Sequence, residues 1–417
     1  MTGLGSCSQN PTIIDLRSNA NYNAISLHEN ARLVQDYSSD SLNYVRTLLY
    51  NWKLMKTDST AYPSDLLLQS LSFVGDIQSI SRFSRTKLPP YPQLADTSYL
   101  NKLKRRPFKY HPAKRFIIES YKNSEIIMFN EGHDRPQTRA FVVSILEDLK
   151  KVGATCLAME TLTEHGNLHG LDGSTGYFTL EPVSGELVRE ALRLGFELIP
   201  YEDRSLGHST TNQRDSIQAA NLFNRIKTKD GIQKTVVLAG YGHISEKPIG
   251  EYISMAINFK QISGIDPLTV EQTLLLEEFE ASPYANRAVN KVLGTDSVLA
   301  FTCPEVKRFG FDTAAYDISI YHPPTAYLHN RPTWVLSTSD KVFTSIEIPK
   351  EILPVLVQAF YKSEISSDRD YYTRIPADQT FYSEDNCVWL ALRKNTEYKI
   401  VYHDDKNKVL KVRDIKP

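Results

Sequence analysis

The sequence predicts an α/β protein with a mainly parallel sheet that has helices on both faces. Between residues 116 and 262, short apolar runs alternate with longer amphipathic stretches, which is the spacing of strand–helix–strand units with right-handed crossovers. The apolar runs lack a regular polar alternation, as expected for strands that are covered on both faces. An N-terminal helical segment and a small C-terminal α+β appendage complete the predicted fold.

Four apolar runs predict the strands of this sheet, and four amphipathic stretches predict the helices that follow them. In the first of these helices, Phe141, Ile145 and Leu149 share one face. The predicted strands are Glu125–Phe129, Thr155–Met159, Phe196–Pro200 and Lys234–Ala239. The predicted helices are Thr138–Lys151, Gly185–Leu194, Asn212–Lys227 and Gly250–Asn258.

The chain of 417 residues is long enough for two or three domains. Residues 1–24 are polar and rich in asparagine, which predicts a flexible arm. Residues 25–115 predict a helical region and a connector that contains proline, lysine and arginine. The α/β domain is predicted for residues 116–340, and a small α+β domain for residues 341–417.

The last region combines several short patterns. The predicted elements are a strand at Val342–Ile348, a helix at Glu351–Phe360, and strands at Val388–Leu392, Tyr398–Val401 and Val409–Val412. A polar turn at 404–407 joins the last two strands. These patterns predict a compact appendage rather than a continuation of the parallel sheet.

Composition and charge exclude several classes of function. Hydrophobic residues make up 41% and charged residues 23% of the chain, which is ordinary for a soluble globular protein. The net charge is −1 and no basic stripe is present, so we expect no nucleic-acid partner. No apolar run reaches the roughly 18–20 residues that span a bilayer. The sequence does not indicate an oligomeric state.

The four cysteines form no C-x-x-C pair and no disulfide framework, and we interpret them as buried or incidental thiols. Cys7 is the exception. The run Leu4-Gly5-Ser6-Cys7 resembles the lipobox of bacterial lipoproteins, although no charged or apolar segment precedes it. This resemblance implies a lipid anchor at Cys7, a place in the cell envelope (periplasmic or at the cell surface), and membrane contact through that anchor alone. A chance match is the alternative.

Each predicted strand of the 116–262 region ends in a polar or glycine-containing cluster. The clusters are Asn130-Glu-Gly-His-Asp134, Glu160, Tyr201-Glu-Asp203 and Gly240-Tyr-Gly-His243. Ligands of open parallel sheets bind outside the carboxyl ends of the strands, so we expect these clusters to meet in one crevice. The candidate catalytic residues are His133, Glu160, His243 and Glu131. The candidate substrate- or ligand-binding residues are Asn130, Asp134, Tyr201, Glu202, Arg214 and Tyr241.

Each of these residues also has a plainer interpretation. A single histidine after a strand is commonly a capping or core residue, and Glu202 suits a helix cap or a solvated loop. Arg214 opens an amphipathic helix and suits a solvated face. Glu160 is more informative, because a carboxylate that follows a buried strand is costly to bury without a partner. We therefore expect Glu160 to be buried and paired with a histidine or an arginine.

The same residues resemble a superfamily that joins ChaN-type haem-binding lipoproteins, Tiki-type proteases and erythromycin esterases. The resemblance lies in Phe129-Asn-Glu-Gly-His-Asp134, Leu157-Ala-Met-Glu160 and Leu238-Ala-Gly-Tyr-Gly-His243. The stretch 214–221 resembles the arginine-containing helix of that superfamily, and the similarity covers roughly residues 120–270. Asn130 replaces the first glycine of the superfamily pattern, which weakens the hydrolytic interpretation.

Two imidazoles and a carboxylate permit two hydrolytic mechanisms. In the first, His133 or His243 activates water as a general base, and Glu160 holds its tautomer. In the second, His133, Glu160 and His243 bind a divalent metal, zinc or manganese, that activates water. Both predict hydrolysis of an ester, amide or peptide bond in a small-molecule or peptide substrate.

Two alternatives involve no turnover. The resemblance to ChaN-type proteins implies that a haem or another small ligand is bound, with Tyr241 or Tyr201 available to ligate iron. A structural envelope protein with a vestigial site is the second alternative. The segment Glu164–Gly176 is predicted as a lid over the site or as a surface loop.

Overall fold

A computed structural model of the protein describes residues 42–57, 62–87, 101, 109–202, 210–277, 285–302, 315–338, 340–353, 355–381 and 387–417. The predicted arm, Cys7 with its lipid anchor, and Asp203 lie outside these residues. Within the described ranges, no helix is both long enough and apolar enough to cross a membrane.

The α/β domain contains ten of the described strands, two of which form a small separate hairpin. Their bounds are β1 His111–Pro112, β2 Ile126–Glu131, β3 Cys156–Met159, β4 Glu197–Pro200, β5 Lys227–Thr228, β6 Gly231–Ile232, β7 Thr235–Gly240, β8 Leu268–Leu275, β9 Leu299–Thr302 and β10 Ile318–Tyr321. Eight of them form one sheet in the order β1-β9-β10-β8-β2-β7-β3-β4, and β5 pairs with β6. The strands from β10 to β4 run parallel, whereas β9 and β1 are antiparallel at one edge.

Helices cover both faces of this sheet, as the sequence predicts. Alternate side chains of β2 enter two separate cores: Ile127 and Phe129 on one face, and Ile126 and Met128 on the other. The helices of the described chain are α1 Tyr44–Thr57, α2 Tyr62–Phe73, α3 Ile77–Lys87, α4 Ala113–Tyr121, α5 Pro136–Lys151, α6 Pro182–Arg193, α7 Thr211–Ile226, α8 Met255–Ser263, α9 Ala285–Leu293 and α10 Asp370–Thr373. Helices α1, α2, α4, α5 and α6 contribute to the first core, and α7 and α8 to the second. The predicted α/β fold is confirmed.

The predicted helix Gly250–Asn258 begins too early. The backbone N–H and C=O groups of Ile249 and Tyr252 bond to each other in both directions, so residues 249–252 form a tight hairpin. Gly250 has φ +62°, which favours glycine, and the helix α8 begins only after Ser254, whose hydroxyl caps Ile257. The glycine therefore marks a turn rather than a helix start.

The C-terminal region is largely β-structure, and the helix predicted at Glu351–Phe360 is wrong. Its strands are β13 Lys341–Glu347, β14 Leu356–Tyr361, β15 Asp378–Phe381, β16 Cys387–Arg393, β17 Tyr398–His403 and β18 Val409–Ile415. A short hairpin, β11 Tyr327–Leu328 with β12 Arg331–Pro332, precedes them. Strand β14 lies between β15 and β17 and is buried along most of its length. Its β-branched and aromatic residues suit a central strand, and Pro354 disfavours a helix across this point.

Helix α6 connects the α/β domain to the C-terminal region through buried charges. Arg189 donates two hydrogen bonds of 2.8 Å to Glu364, and Lys341 pairs with Glu186 at 3.1 Å. Burial alone would raise the pKa of Glu186, but the charges of Lys341, Arg189 and Arg393 lower it to about 2. The appendage is therefore attached by a paired charge network, away from the carboxyl ends of β2, β3 and β7.

The cysteines differ from the predicted set of incidental thiols. Cys156 is a buried free thiol in β3, as expected. Cys387, at the start of β16, is disulfide-bonded. At least one cysteine of the chain therefore has a covalent structural role that the spacing does not reveal.

Candidate functional site

The polar clusters that end β2, β3 and β7 meet at one edge of the sheet. These strands are neighbours, and Gly240, the last residue of β7, lies between His133 and Glu160. A Cβ atom at Gly240 would lie 2.7 Å from His133 Cε1 and 3.2 Å from Glu160 Oε2. On the other side, His243 Nε2 lies 3.8 Å from Glu160 Oε1. The predicted convergence of His133, Glu160 and His243 is confirmed.

Glu160 is at the centre of the site and is paired, as the sequence predicts. Its side chain is 11% exposed, and its two oxygens accept hydrogen bonds from Arg214 Nη2 at 2.5 Å and from the Gly240 N–H at 2.6 Å. Burial alone would raise the pKa of Glu160, but the charges of His243, His133 and Arg214 lower it to about 2. Glu160 is therefore ionised at physiological pH, and both of its oxygens already accept hydrogen bonds.

We expect Glu160 to make the stability of the protein sensitive to acid. Its pKa is lower in the folded chain, about 2, than the usual 4.5, so its contribution is complete above pH 4.5 and is lost as the pH falls towards 2. The full contribution is about 3 kcal/mol, of which about 2 kcal/mol disappears between pH 6 and pH 3. Urea unfolding of the wild type and of Glu160→Gln at these two pH values measures this loss. The free energy of unfolding of the wild type should fall by about 2 kcal/mol more than that of the variant.

Glu147→Gln is the matched control, because Glu147 is an exposed glutamate on α5 that pairs only with Lys151. This variant should follow the wild-type pH dependence. An unchanged pH dependence in Glu160→Gln would show that Glu160 is not the buried, stabilised anion described above.

His133 is held by a carboxylate and by two aromatic rings. Its Nδ1 lies 3.3 Å from Glu131, and its ring stacks on Phe178 with centroids 4.2 Å apart and planes 11° apart. The ring also meets the Tyr241 ring edge-on at a centroid distance of 5.3 Å. These contacts leave Nε2 beside Gly240 and Glu160. The orientation of the imidazole is therefore set from three sides.

His243 has a second carboxylate of its own. Its Nδ1 lies 2.9 Å from Asp215 Oδ2, which also accepts hydrogen bonds from the Tyr252 hydroxyl at 2.6 Å and from the Met255 N–H. Burial alone would lower the pKa of His243, but Asp215 and the charge of Glu160 outweigh it and raise the pKa. The tautomers of the two histidines are thus set by Glu131 and Asp215, which corrects the predicted role of Glu160.

Arg139 is fully buried and holds the residues after β2 that carry His133. It donates to Glu131 at 3.0 Å, to Glu181 at 3.2 Å, and to the carbonyl groups of Gly132 and His133 at 3.3 and 3.1 Å. Glu181 also caps α6 by accepting from the first N–H groups of that helix. One guanidinium therefore fixes both the loop that carries His133 and the start of the neighbouring helix.

Arg214, in the first turn of α7, joins two of the predicted acids. Its guanidinium donates to Glu160 and forms a two-pronged pair with Glu202, and its Nη1 lies 3.4 Å from His243 Nε2. The side chain is 25% exposed, so it faces the solvent side of the site. The interpretation of Arg214 as a solvated helix residue is therefore wrong.

Two of the predicted ligand-binding residues are buried supports. Asn130 is 1% exposed; its amide donates to the Tyr241 carbonyl and to Glu271, and its oxygen accepts from the Gln272 N–H. Tyr201 is also 1% exposed, and its hydroxyl donates to the Leu238 carbonyl at 2.8 Å. Neither side chain is accessible to a ligand, so the predicted ligand-binding roles of Asn130 and Tyr201 are wrong.

Asp134 and Tyr241 form a polar pair beside His133. The Tyr241 hydroxyl donates to Asp134 Oδ1 at 3.1 Å, and Asp134 also pairs with Arg135 at 3.3 Å. Tyr241 is 36% exposed and remains accessible from solvent. These two residues therefore form the rim of the site on the His133 side.

Four site residues are absent from the sequence prediction: Asp215, Tyr252, Arg139 and Phe178. Arg139 has a signal in the sequence, because it lies on the apolar face of a predicted helix with Val142 and Leu146. Asp215 lies beside Arg214 in the first turn of α7, and no local pattern indicates that it reaches His243. Phe178 and Tyr252 have no signal either, since their places depend on how the loops after β3 and β7 fold back. Among the described residues, the hydrogen bonds, ion pairs and ring contacts of His133, Glu160 and His243 come from the α/β domain. An N-terminal residue, Ser84, accepts a hydrogen bond from Arg135 beside this site.

The segment Glu164–Gly176, predicted as a lid or a surface loop, is a compact loop held by its own hydrogen bonds. Thr163 N–H donates to the Thr175 carbonyl, and Asn167 donates to Asp172 at 3.0 Å. A Cβ atom at Gly176 would lie 2.3 Å from the Thr161 carbonyl oxygen, so the chain closes tightly at this point. The loop then delivers Phe178 to the face of His133.

The predicted zinc or manganese site does not fit this arrangement. Both oxygens of Glu160 are already occupied, and one of the occupants is the guanidinium of Arg214, whose charge would repel a cation. In the described part of the chain, no group of three or more His, Cys, Asp or Glu side chains is placed to hold a metal ion. The metal-ligand roles of His133, Glu160 and His243 are therefore corrected.

Haem does not fit the described residues either. Tyr201 is buried, and the Tyr241 hydroxyl is bonded to Asp134. An open cleft of about 590 Å³ lies beside His243, but seven of its eight lining residues have polar or charged side chains, whereas large planar ligands bind in pockets lined mainly by hydrophobic and aromatic residues. The lining residues are Thr210, Thr211, Asn212, Arg214, Gly242, His243, Glu251 and Tyr252.

Among solved structures, the chain is similar to two chains that are described as bacterial protein toxins. The sequence identities are 15% and 16%, the TM-score is 0.29 in both cases, and 54% of this chain is covered. The similarity spans 48% and 47% of the two toxin chains, about half their length, and at this TM-score no conclusion about fold or function follows from it. The chain matches no protein-family model and no curated protein.

Proposed function

We propose that this protein hydrolyses an ester, amide or peptide bond, with His133 as the general base. The observation that carries the proposal is the paired arrangement of the two imidazoles. Each is held at Nδ1 by a buried carboxylate, and the two lie on either side of the same glutamate: His243 Nε2 is 3.8 Å from Glu160 Oε1, and Gly240 lies between His133 and Glu160 Oε2. A structural histidine does not need a carboxylate at Nδ1 or a second histidine held in the same way nearby. Acid–base chemistry, in contrast, depends on a fixed tautomer and orientation.

His133 is the better of the two candidate bases. Glu131 accepts from Nδ1 and so favours the tautomer in which Nε2 carries the free lone pair. That nitrogen can accept a proton from a water molecule as the water attacks a carbonyl carbon. The negative charges of Glu131 and Glu160 then stabilise the imidazolium that forms.

His243 and Arg214 are suited to stabilise negative charge on the substrate. Arg214 is a cation, the pKa of His243 is raised, and both residues line the cleft. The carbonyl oxygen of the substrate becomes negative when water adds to it, and preorganised donors are most effective against such a charge. Glu160 holds Arg214 at 2.5 Å, and its charge contributes to the raised pKa of His243. The anion at the centre therefore positions Arg214 and favours the protonated form of His243.

We expect Gly240→Ala to abolish most of the turnover while the fold is retained. The backbone of Gly240 (φ −72°, ψ 151°) accepts alanine, but the added Cβ would lie 2.7 Å from His133 Cε1 and 2.8 Å from its Nε2. The imidazole must move, and displacement of a catalytic group by about 1 Å costs about 10²-fold in rate. The measurement is kcat/KM for any ester, amide or peptide that the wild type hydrolyses.

Gly173→Ala is the matched control, because Gly173 does not line the cleft. Its added Cβ would lie 3.6 Å from Leu42 Cδ2 and 3.6 Å from the Thr373 carbonyl oxygen, both ordinary contacts, so its rate should stay close to that of the wild type. Equal rates for Gly240→Ala and the wild type would show that the position of His133 is irrelevant to turnover.

The resemblance to the ChaN, Tiki and erythromycin-esterase superfamily supports the same proposal but does not depend on these contacts. An envelope location with a lipid anchor at Cys7 stays a prediction from the sequence, as does the class of substrate, a small molecule or a peptide. The absorption spectrum and metal content of the natively purified protein test the proposal further. A Soret band without turnover of any ester, amide or peptide would contradict hydrolysis and favour ligand binding.

A further inference from the structure

The cleft beside His243 contains a charged group that the proposed chemistry does not use. One wall is the start of α7, from Thr210 to Arg214, and the other contains Gly242, Glu251 and Tyr252. Glu251 lies at the tip of the hairpin 249–252, directly after Gly250. It is exposed, and its carboxylate has no hydrogen bond or ion pair with any described residue.

The backbone around Glu251 is fixed relative to α7. The Asn212 amide donates to the Glu251 carbonyl at 2.8 Å, and the Asn212 oxygen accepts from the Ile253 N–H at 2.8 Å. The two bonds between Ile249 and Tyr252 close the hairpin at 3.0 and 3.1 Å. The rim of the cleft therefore carries a carboxylate that has no partner among the described residues, on a turn that these four hydrogen bonds hold.

The remaining polar groups of the cleft are largely occupied. Asn212 is used in the two bonds to the hairpin, the Thr210 hydroxyl caps α7, and the Tyr252 hydroxyl donates to Asp215. Arg214 holds Glu160 and Glu202. The cleft therefore has Arg214 and His243 at its inner end. At its rim it has the Glu251 carboxylate, which has no partner among the described residues.

We propose that Glu251 binds a cationic amine of the substrate, so that this hydrolase prefers esters or amides whose acyl chain carries an ammonium group. The inference rests on the proposed function, because the carbonyl must reach His243 and Arg214 while the ammonium pairs with Glu251. Hydrogen bonds already hold the backbone of the turn, so only side-chain freedom is lost when such a pair forms, and opposite charge favours the encounter.

The test compares esters that differ only in one charge. The p-nitrophenyl esters of 6-aminohexanoic and 8-aminooctanoic acids are each measured beside the uncharged hexanoate and octanoate. We expect at least one amino ester to have a kcat/KM about two- to fivefold above its uncharged partner, through a lower KM, since this is the usual contribution of an exposed ion pair. Glu251→Gln should remove the preference and leave the uncharged esters unchanged, whereas Glu147→Gln should keep it.

A binding measurement keeps this inference separate from the proposed function. If no ester is turned over, the affinities of the full chain for 6-aminohexanamide and for hexanamide are measured by titration and test the cation site directly. Tighter binding of the amine, lost in Glu251→Gln, supports the cation site even though hydrolysis has failed. Turnover without any preference for the amino esters, a preference that survives Glu251→Gln, or equal binding of the two amides would overturn the cation site.

Discussion

Alanine in place of His133 or of His243 is expected to lower kcat/KM about 10²–10⁴-fold, the usual contribution of a positioned acid or base. For His133 the loss would be that of the proton acceptor. For His243 it would be that of a cation facing the developing oxyanion. Both side chains are mostly buried, at 21% and 13% exposure, but they sit after strands in the site and not in the apolar cores.

His165→Ala is the control for these variants. His165 is exposed in the loop that follows Glu160, and it does not contact His133 or His243. It should keep the wild-type rate, and all three variants should keep the wild-type circular dichroism spectrum. A rate within about twofold of the wild type for either site variant would remove that histidine from the chemistry.

Arg139→Met is expected to cost about 3–5 kcal/mol in the free energy of unfolding, which is the largest stability effect we predict. Arg139 is fully buried and neutralises two buried carboxylates, Glu131 and Glu181. Methionine has a similar length, but it leaves both acids without a charge partner in a region closed to water. The variant should therefore unfold at a much lower urea concentration or accumulate in insoluble form.

Arg225→Met is the matched control, since Arg225 pairs with Glu164 at the surface, where both side chains are at least one third exposed. Such a pair contributes about 0–1 kcal/mol. Combining Arg139→Met with Glu131→Gln and Glu181→Gln should recover part of the lost stability, because the unpaired charges are removed. A loss below about 1 kcal/mol for Arg139→Met alone would contradict the buried charge network.

Strong local patterns explain which elements were predictable. The strands β2, β3, β4 and β7 are short apolar runs buried on both faces, and the predicted bounds differ from the observed ones by at most two residues. The carboxyl ends of parallel strands share one edge of the sheet, which is why the sequence predicts that His133, Glu160 and His243 lie together. The insertion of β7 between β2 and β3 is not predicted by any local pattern.

Other features depend on contacts that no local pattern encodes. Strand β14 has apolar residues at spacings that also suit a helix, and its pairing with β15 and β17 decides the outcome. Asn130 stands where the superfamily pattern has glycine. Its amide turns inward, to Glu271 and to the backbone of β8, and does not enter the site.

The partners of the two histidines illustrate the same limit. Glu131 is two residues from His133, and the sequence predicts it as a catalytic residue. Asp215 reaches His243 from helix α7, 28 residues away along the chain. Phe178 reaches His133 only because the loop after β3 closes on itself. A sequence can indicate which strand ends carry chemistry, but the side chains that orient those groups come from distant turns.

The most direct test of the central claim is the double variant His133→Ala with His243→Ala, measured beside both single variants on one substrate that the wild type hydrolyses. His133 and His243 make separate contributions to one transition state, as the proton acceptor and as a donor to the developing oxyanion, so the two losses should approximately multiply. The double variant should then be much slower than either single variant, down to the rate of the uncatalysed reaction. A double variant within about tenfold of the slower single variant would instead show that the two histidines act as one unit, and would contradict the separate roles proposed here.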